Sequence, residues 1–422
     1  MVLRRGLPLV RRRALWLVRP PRVRGSVPRA LPGALRIDDS EEQEAVDAVR
    51  AVIRSKRLFR YGGTSGNPFE TSRVRRLERS FAATMGTEYA LALNSGTSAL
   101  VCGLVALGVG AGDEVIVPAY TWFSTASAVR AAGAIPVVAE VDESLTLDPD
   151  DARAKVSSRT RAIVAVHMRG APAAMDRLGS LADERGLGLL EDAAQAAGAS
   201  FRGRRLGTIG DMGAYSFQMS KTITAGEGGM LVTRDRDLHR RAAMYHDSAA
   251  MVHMGLSAEE WTLAGLNMRM SELQAAVAEV QLRRLDALLA AMRARKRVIE
   301  ERIGEGGVHL RATHDAAGDA GLALIFFVAD SERAERVVAA LVRDNVPATR
   351  LYKDGRDLPD DYIDLHAYPS WRPLLPGVER PEDVCPLTVG LLRRAVHIDV
   401  SPDLTEAQAE QIGTAILVAL GR

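Results

Sequence analysis

The sequence predicts an α/β protein with a mixed, mostly parallel β-sheet flanked by helices, followed by a small α+β domain. Short apolar runs alternate with helical patterns of about a dozen residues from YALALN to LGLLED. Strands that are apolar throughout are typical of parallel sheets covered on both faces. The chain also has 422 residues, which exceeds the usual size of a single domain.

The opening segment, residues 1–37, is predicted to be a disordered tail. It has no acidic residue and contains repeated arginines and prolines, and the prolines would break any long helix. A start codon placed too far upstream is an alternative explanation of the segment. The Arg-rich, acid-poor composition also resembles an organelle transit peptide, although serine is scarce.

Residues 38–285 are predicted to form the large domain, and residues 286–422 the small one. MGAYSFQM and GGMLVTR follow each other too closely for a crossover helix, which predicts that the sheet is mixed at this point. One long helix from Ser271 to about Glu301 is predicted to lead into the small domain. That domain combines the strand GLALIFFVA with helices in SERAERVVAALVRDN and TEAQAEQIGTAILVAL.

The composition is that of an ordinary globular enzyme. A formal charge of +2 gives no reason to expect a nucleic-acid partner. No apolar run reaches the roughly 18 residues that span a bilayer, so a cytoplasmic protein without a membrane partner is expected. Cys102 and Cys385 lie far apart and outside any CxxC motif, so neither a disulfide framework nor a metal site is predicted.

Two segments at strand ends are candidate ligand contacts. Residues 94–98, Asn-Ser-Gly-Thr-Ser, lie between a strand and a helix, where free N–H groups and the helix dipole favour a phosphate. The same residue types are ordinary helix caps, and this alternative stays open. Trp122 follows the strand in DEVIVPA, where a flat aromatic side chain could cover a flat ring. Packing in the core is the alternative for Trp122.

The strongest signals are a pair of acids and a lysine. Glu191 and Asp192 end an apolar strand, and a buried carboxylate requires a cation, such as a protonated ring nitrogen or a structural arginine. Lys221 is one of only five lysines and lies in an apolar setting ahead of a Gly-rich turn. Burial would lower the pKa of this amine, which could then form a Schiff base.

These motifs together resemble a known family. ALNSGTSAL, GDEVIVPAYTW, LLEDAAQAAG, SFQMSKTITAGEGG and LNMRMSELQAA occur in the order and spacing of the DegT/DnrJ/StrS sugar aminotransferases. The resemblance runs from about Glu41 to the C-terminus. It implies fold type I of the pyridoxal-phosphate (PLP) enzymes, PLP as the cofactor, and a homodimer with shared active sites.

The resemblance also implies a role for each matched residue. Lys221 would carry PLP as a Schiff base and move the proton between the substrate Cα and the cofactor. Asp192 would keep the pyridine nitrogen protonated, so that PLP remains an electron sink. Further cofactor contacts are implied for the ring (Trp122), the phenolic oxygen (Gln195), the phosphate (Gly96, Thr97 and Ser216) and the neighbouring subunit's phosphate (Asn267).

The same residues suggest a reaction. Some members of the family have His in place of the lysine and are dehydratases, so the presence of Lys221 favours transamination. Gln195 stands where many nucleotide-sugar enzymes have His, and this resembles the branch that aminates keto-cyclitols or makes aminohydroxybenzoate. The sequence therefore favours an aminotransferase that moves an amino group from glutamine or glutamate to a keto-cyclitol or keto-sugar, with ping-pong kinetics.

Several alternatives stay open. A nucleotide-sugar aminotransferase would need a basic groove, for which Arg169, Arg269 and Arg372 are candidates. An aromatising dehydratase or a carbon–carbon lyase could use the same scaffold, and a non-catalytic relative could keep the fold without the chemistry. The sequence assigns no role to three further polar residues, His246, Asp247 and His366.

Overall fold

The computed structural model describes residues 39–61, 72–260, 262–304, 306–352, 366–367, 371, 374 and 384–422. The predicted tail, residues 1–37, lies outside them. The helices are α1 Asp39–Ser55, α2 Arg73–Met85, α3 Gly96–Ala106, α4 Ser124–Ala131, α5 Pro149–Ala154, α6 Met175–Arg185, α7 Arg236–His246, α8 Ala250–Met254, α9 Glu272–Leu282, α10 Leu285–Gly304, α11 Ser331–Arg343, α12 Pro386–Arg394 and α13 Glu406–Leu420. The strands are β1 Tyr89–Leu93, β2 Glu114–Pro118, β3 Ile135–Ala139, β4 Thr160–Val166, β5 Gly188–Asp192, β6 Ser200–Phe201, β7 Arg204–Arg205, β8 Met212–Ser216, β9 Gly229–Thr233, β10 His309–Leu310, β11 Ala323–Phe327, β12 Ala348–Arg350 and β13 Ala395–Asp399.

A seven-stranded sheet in the order β1-β9-β8-β5-β4-β2-β3 forms the centre of the fold. Strands β2, β3, β4, β5 and β8 are parallel, whereas β9 is antiparallel to both of its neighbours, β8 and β1. The strands are buried along nearly their whole length, which explains the uninterrupted apolar runs in the sequence. The prediction that the sheet becomes antiparallel between MGAYSFQM and GGMLVTR is confirmed.

The sheet directions bring the predicted site residues to one edge. Because β9 is antiparallel to both β1 and β8, these two strands run in the same direction. The carboxyl ends of β1, β2, β4, β5 and β8 therefore share one edge of the sheet, the edge where open α/β sheets bind ligands. The segments that follow these strands begin at Asn94, Ala119, His167, Ala193 and Phe217.

A second, antiparallel sheet in the order β10-β11-β13-β12 lies towards the C-terminus. Its residues alternate between two cores, as side chains on a strand must. Phe326, Val396 and Ile398 pack with helices α10, α11 and α13, whereas Ile325 and Ala395 join the core of the large sheet. The domain limits 38–285 and 286–422 stay predictions.

The predicted single helix from Ser271 to about Glu301 is wrong, because the structure has two helices, α9 and α10. The chain turns where the N–H groups of Arg283 and Arg284 both approach the carbonyl of Gln281. Val280 on α9 packs against α1, whereas Leu285 on α10 faces the main core. Leu282 at the end of α9 also faces the main core, so the turn lets α9 pack against α1 while both helices contribute to that core.

Candidate active site

Gly96 and Ser216 meet at one end of the site. A Cβ atom added at Gly96 would lie 2.8 Å from the Cβ of Ser216, so only glycine permits this approach. The Ser95 hydroxyl caps α3 by accepting from the N–H of Ser98 at 3.0 Å, and Thr97 is exposed in the first turn. A helix N-terminus with two neighbouring hydroxyls is suited to a phosphate.

Asp192 is buried at the carboxyl end of β5. Its carboxylate accepts a hydrogen bond from the Thr125 hydroxyl at 2.9 Å and another from the N–H of Ala194 at 3.1 Å. Burial raises the pKa of Asp192, and these bonds and the charge of Lys221 offset the rise only in part. A buried carboxyl group with a raised pKa gains stability when a cation binds beside it.

Lys221 lies in the loop between β8 and β9, which doubles back on itself. The N–H of Phe217 donates to Gly228 O at 2.9 Å, and the N–H of Met219 donates to Gly226 O at 3.1 Å. Burial lowers the pKa of Lys221 to about 8; Asp192 opposes this fall and Arg169 adds to it. The side chain keeps some solvent access although protein surrounds it on most sides.

The other four lysines differ from Lys221 in their surroundings. Lys56 is exposed, and Lys353 lies outside the described residues. The remaining two form ion pairs with carboxylates, Lys155 with Asp151 and Lys296 with Asp319.

Glu191, next to Asp192, has a structural role. Both of its oxygens are used: it accepts from the N–H groups of Gly207, Ile209 and Gly210 at 2.6–2.7 Å and contacts His167 Nε2 at 2.9 Å. The two acids point to opposite faces of β5, as adjacent strand residues do. Glu191 is therefore a structural carboxylate, held by backbone N–H groups and His167.

Replacing Glu191 with glutamine is expected to lower the free energy of unfolding by about 3 kcal/mol, because an amide NH₂ would face backbone donors that now bond to a charged acceptor. Urea unfolding of the cofactor-free protein measures this change. An unfolding midpoint equal to that of the unmodified protein would contradict the structural role.

Trp122 and Gln195 line the same edge. The Trp122 ring is partly exposed, and its centroid lies 5.1 Å from that of His366. The N–H of Thr121 donates to His366 O at 2.9 Å, which ties this buried histidine to the end of β2. Gln195 Oε1 accepts from the N–H of Arg169 at 3.0 Å, so its NH₂ group can donate elsewhere.

Asn267 is exposed in a short extended segment beside β1. The N–H of Met268 donates to His246 O and that of Asn94 donates to Met268 O, both at 2.9 Å. This segment therefore borders the predicted phosphate end of the site. Its contact with a neighbouring subunit's cofactor stays a prediction.

His246 and Asp247 belong to a buried network near this segment. Burial, reinforced by the nearby charge of Arg60, lowers the pKa of His246 to about 3. Burial would raise the pKa of Asp247, but hydrogen bonds, including those from Ala249 N–H and His253, lower it to about 2. Arg269, a candidate for the basic groove, pairs with Asp247.

Sequence reasoning misses Thr125, the partner of Asp192. Thr121 and Thr125 flank Trp122 at the end of β2, and their hydroxyls lie 2.9 Å apart. The sequence signal that could have found Thr125 is this pair of threonines, four positions apart, with Trp122 between them. Of the other groove candidates, Arg169 lies near Lys221, and Arg372 is outside the described residues.

The described ranges contain no group of three or more His, Cys, Asp or Glu residues able to hold a metal ion. Likewise, none of the helices in that part of the chain is both long and apolar enough to cross a membrane.

The mixed sheet with its lysine loop is the fold of the type I PLP-dependent transferases, which confirms the predicted fold class. The solved structure of 3-amino-5-hydroxybenzoic acid synthase matches with a TM-score of 0.76 and 30% identity, covering 93% of this chain and 99% of that one. Residues 39–417 match the DegT/DnrJ/EryC1/StrS aminotransferase family, and the chain belongs to it.

Two curated relatives have named activities. The L-glutamine:2-deoxy-scyllo-inosose aminotransferase of Streptoalloteichus tenebrarius is 39% identical over 277 residues, which cover 64% of this chain and 65% of that enzyme. The GDP-perosamine synthase of Caulobacter vibrioides is 38% identical over 244 residues, covering 57% and 64%. The chain thus spans less than two thirds of the length of either relative.

Proposed function

We propose that this protein is a PLP-dependent aminotransferase that moves an amino group from glutamine or glutamate to a keto-cyclitol or keto-sugar. The observation that carries the proposal is the pair formed by Lys221 and Asp192. A lysine whose pKa is lowered to about 8, in the loop that follows β8, interacts electrostatically with a buried carboxyl group whose pKa is raised, at the end of the neighbouring strand β5. Complementary groups whose pKa values are shifted by burial and by each other's charge are typical of catalytic sites.

The residues present fit PLP in their chemistry. Asp192 is a buried carboxyl group that a protonated pyridine nitrogen would complement. Gly96 lets the start of α3 approach Ser216 closely, since a Cβ atom at this position would lie 2.8 Å from the Cβ of Ser216. Thr97 and the α3 N–H groups would join Ser216 at the phosphate, Trp122 would cover the ring, and Gln195 would donate to the phenolic oxygen.

The chain's own residues would divide the reaction between them. Bound PLP would supply an electron sink for the negative charge that develops on the substrate α-carbon. Lys221 would remove the proton from that carbon and deliver it to the cofactor. Removing the proton requires the neutral form of the Lys221 amine. Asp192, oriented by Thr125, would keep a negative charge beside the ring nitrogen.

The relatives favour a keto-cyclitol as acceptor and L-glutamine as donor. The first relative's name states both, and Gln195 agrees with that branch. A nucleotide-sugar aminotransferase is the second candidate, supported by the similarity to GDP-perosamine synthase. The structural match to 3-amino-5-hydroxybenzoic acid synthase keeps the aromatising dehydratase as a third.

A cytoplasmic homodimer with shared active sites completes the proposal. Asn267 is exposed beside the phosphate end, next to Leu266, which is 52% exposed, and Met219 on the lysine loop is 44% exposed. Apolar side chains exposed around a site are typical of a subunit interface. Sedimentation measures the assembly, and a fully active monomer would contradict it.

The function is tested by the visible absorbance of the purified, PLP-loaded protein. Addition of L-glutamine or L-glutamate should bleach the band, and 2-deoxy-scyllo-inosose should restore it. Recovery only with a nucleotide keto-sugar would favour the second candidate. A band that neither amino acid bleaches would contradict transamination.

The pH dependence of cofactor uptake follows from the amine of Lys221. Burial favours the neutral form and lowers the pKa to about 8, so the neutral fraction grows as the pH rises through that value. Uptake of PLP by the cofactor-free protein should therefore become about tenfold faster from pH 7 to pH 9. Borohydride trapping followed by mass spectrometry measures the rate. A midpoint near 10.5 would contradict the shifted pKa.

A further inference from the structure

Two polar side chains of β13 lie on the face of the second sheet that is directed towards the large sheet. Val396 and Ile398 pack with the helices that cover the second sheet. The alternate residues of the strand point to the opposite face, where Ala395 joins the core of the large sheet. His397 and Asp399 follow Ala395 on this face. Two titratable side chains are therefore placed between the two sheets.

The Asp399 end of β13 lies against the candidate active site. Asp399 pairs with the first residue of β11. Just before β11, the N–H of Ala320 donates to Gly170 O at 3.0 Å, and a Cβ atom added at Gly170 would lie 2.7 Å from that of Ala320. The preceding residue, Arg169, donates its N–H to Gln195 Oε1 at 3.0 Å. These contacts connect Asp399 to the end of β4 and to a residue predicted to contact the cofactor.

His397 stands behind Asp399 in a row of polar side chains. The Thr349 hydroxyl lies 3.4 Å from His397 Nδ1, and Nε2 of the same ring lies 3.3 Å from Asp399 Oδ1. Burial holds the pKa of His397 well below its usual value, so the ring is neutral. Its proton belongs on Nε2, where it faces a carboxylate, and the Thr349 hydroxyl then donates to Nδ1.

The contact between His397 and Asp399 is close but incomplete. Within the described part of the chain, His397 Nε2 makes no hydrogen bond, although the carboxylate oxygen is only 3.3 Å away. A buried N–H without an aligned acceptor is costly. A small rotation of the Asp399 carboxylate would align it and remove this cost.

The two side chains differ in exposure. That of His397 is 1% exposed, whereas that of Asp399 is 34% exposed. A ligand can therefore reach the carboxylate but not the imidazole ring. Burial raises the pKa of Asp399 to about 6, against the opposing charge of Arg169, so the carboxylate is ionised at pH 7 to 8. An ionised carboxylate only accepts hydrogen bonds, and hydroxyl groups are suitable donors.

We infer that the Asp399 carboxylate binds a ring hydroxyl group of the acceptor ketone and that His397 holds the carboxylate in position. This rests on the proposed aminotransferase function. A hydroxyl group that donates to one oxygen would fix the carboxylate so that the other accepts from His397 Nε2. Cyclitols and sugars share such hydroxyl groups, whereas L-glutamine has none. The contact therefore acts on the acceptor half of the reaction.

Two ketones test the inference. 2-Deoxy-scyllo-inosose and cyclohexanone share a six-membered ketone ring, but only the first carries hydroxyl groups. The PLP-loaded protein is bleached with L-glutamine, and recovery of the band is followed at low concentrations of each ketone. In Asp399→Asn, the second-order rate constant for 2-deoxy-scyllo-inosose should fall about 10- to 100-fold, as expected for loss of a hydrogen bond to a charged group. The rate constant for cyclohexanone should stay the same.

Further variants control for positioning and for folding. His397→Leu should slow recovery at low concentrations of 2-deoxy-scyllo-inosose but not at saturation, and His397→Gln, whose NH₂ group can face Asp399, should restore most of the loss. Asp344→Asn changes an exposed acid at the end of α11 and should have no effect. Normal recovery in both Asp399→Asn and His397→Leu would overturn the inference. If Asp399→Asn does not fold, the two His397 variants decide.

Failure of the proposed function would look different from failure of this inference. If L-glutamine does not bleach the unmodified protein, the function is wrong and the inference falls with it. If bleaching and recovery are normal in every variant, only the inference is wrong. An effect of Asp399→Asn that occurs with a nucleotide keto-sugar instead of the cyclitol would support the hydroxyl contact and assign it to a sugar ring.

Discussion

Replacing Lys221 with alanine is expected to remove the visible absorbance of the bound cofactor and to slow transamination by about 10⁴-fold, the upper range for loss of a positioned acid–base group. The reason is that this one amine serves both for covalent attachment and for proton transfer. Absorbance spectra and single-turnover rates with L-glutamine measure the two effects separately. Folding should be unimpaired, because a buried amine with a lowered pKa does not stabilise the cofactor-free protein.

Lys56→Ala is the matched control for this variant. Lys56 is exposed at the end of α1, so its replacement should change neither the spectrum nor the rate. An unaltered visible band in Lys221→Ala would show that another group carries the cofactor.

Replacing Asp192 with asparagine is expected to reduce the rate of transamination by about 10³-fold. Asparagine has nearly the same shape and can still accept from the Thr125 hydroxyl, but it has no charge to offer a protonated ring nitrogen. Loss of one partner of a buried ion pair costs about 3–5 kcal/mol, which corresponds to a factor of this size. Single-turnover kinetics with the PLP-loaded variant measure the change.

Asp192→Asn should lower the rate of transamination without lowering stability, whereas Glu191→Gln should lower stability. Burial raises the pKa of Asp192, so its neutral replacement should not destabilise the cofactor-free protein, whereas Glu191→Gln should unfold earlier in urea. Asp192→Asn with normal rates and reduced stability would assign Asp192 the structural role instead. Adjacent carboxylates of the same strand thus act as controls for each other.

The large sheet could be predicted from sequence because its strands are buried on both faces. Burial on both faces requires apolar residues at every position, and the short link between β8 and β9 excludes a crossover helix. The break between α9 and α10 could not be predicted in this way. Both helices contribute to the main core, and what separates them is that α9 also packs against α1 through Val280, whereas α10 continues into the core of the second sheet through Ile299.

The site could be predicted only in part, for a related reason. Lys221 and Asp192 stand out locally, as a lysine in an apolar context and an acid that ends a buried strand. Thr125 and Arg169 become part of the site only through the strand order, which brings the ends of β2 and β4 beside β5. In a chain so rich in arginine, the residue type alone does not distinguish Arg169.

The pairing of β1 with β9 has a consequence for how the protein is made. β1 lies at the edge of the large sheet and bonds along its length to β9, although β9 is synthesised much later. Contacts between residues so distant in the chain form slowly and leave strand edges exposed in the meantime. The nascent chain therefore cannot assemble the pocket around Gly96 before residue 233 has left the ribosome. A ligand that bridges Gly96 and Ser216 would stabilise only the completed pairing, so cofactor supply would favour this step of folding.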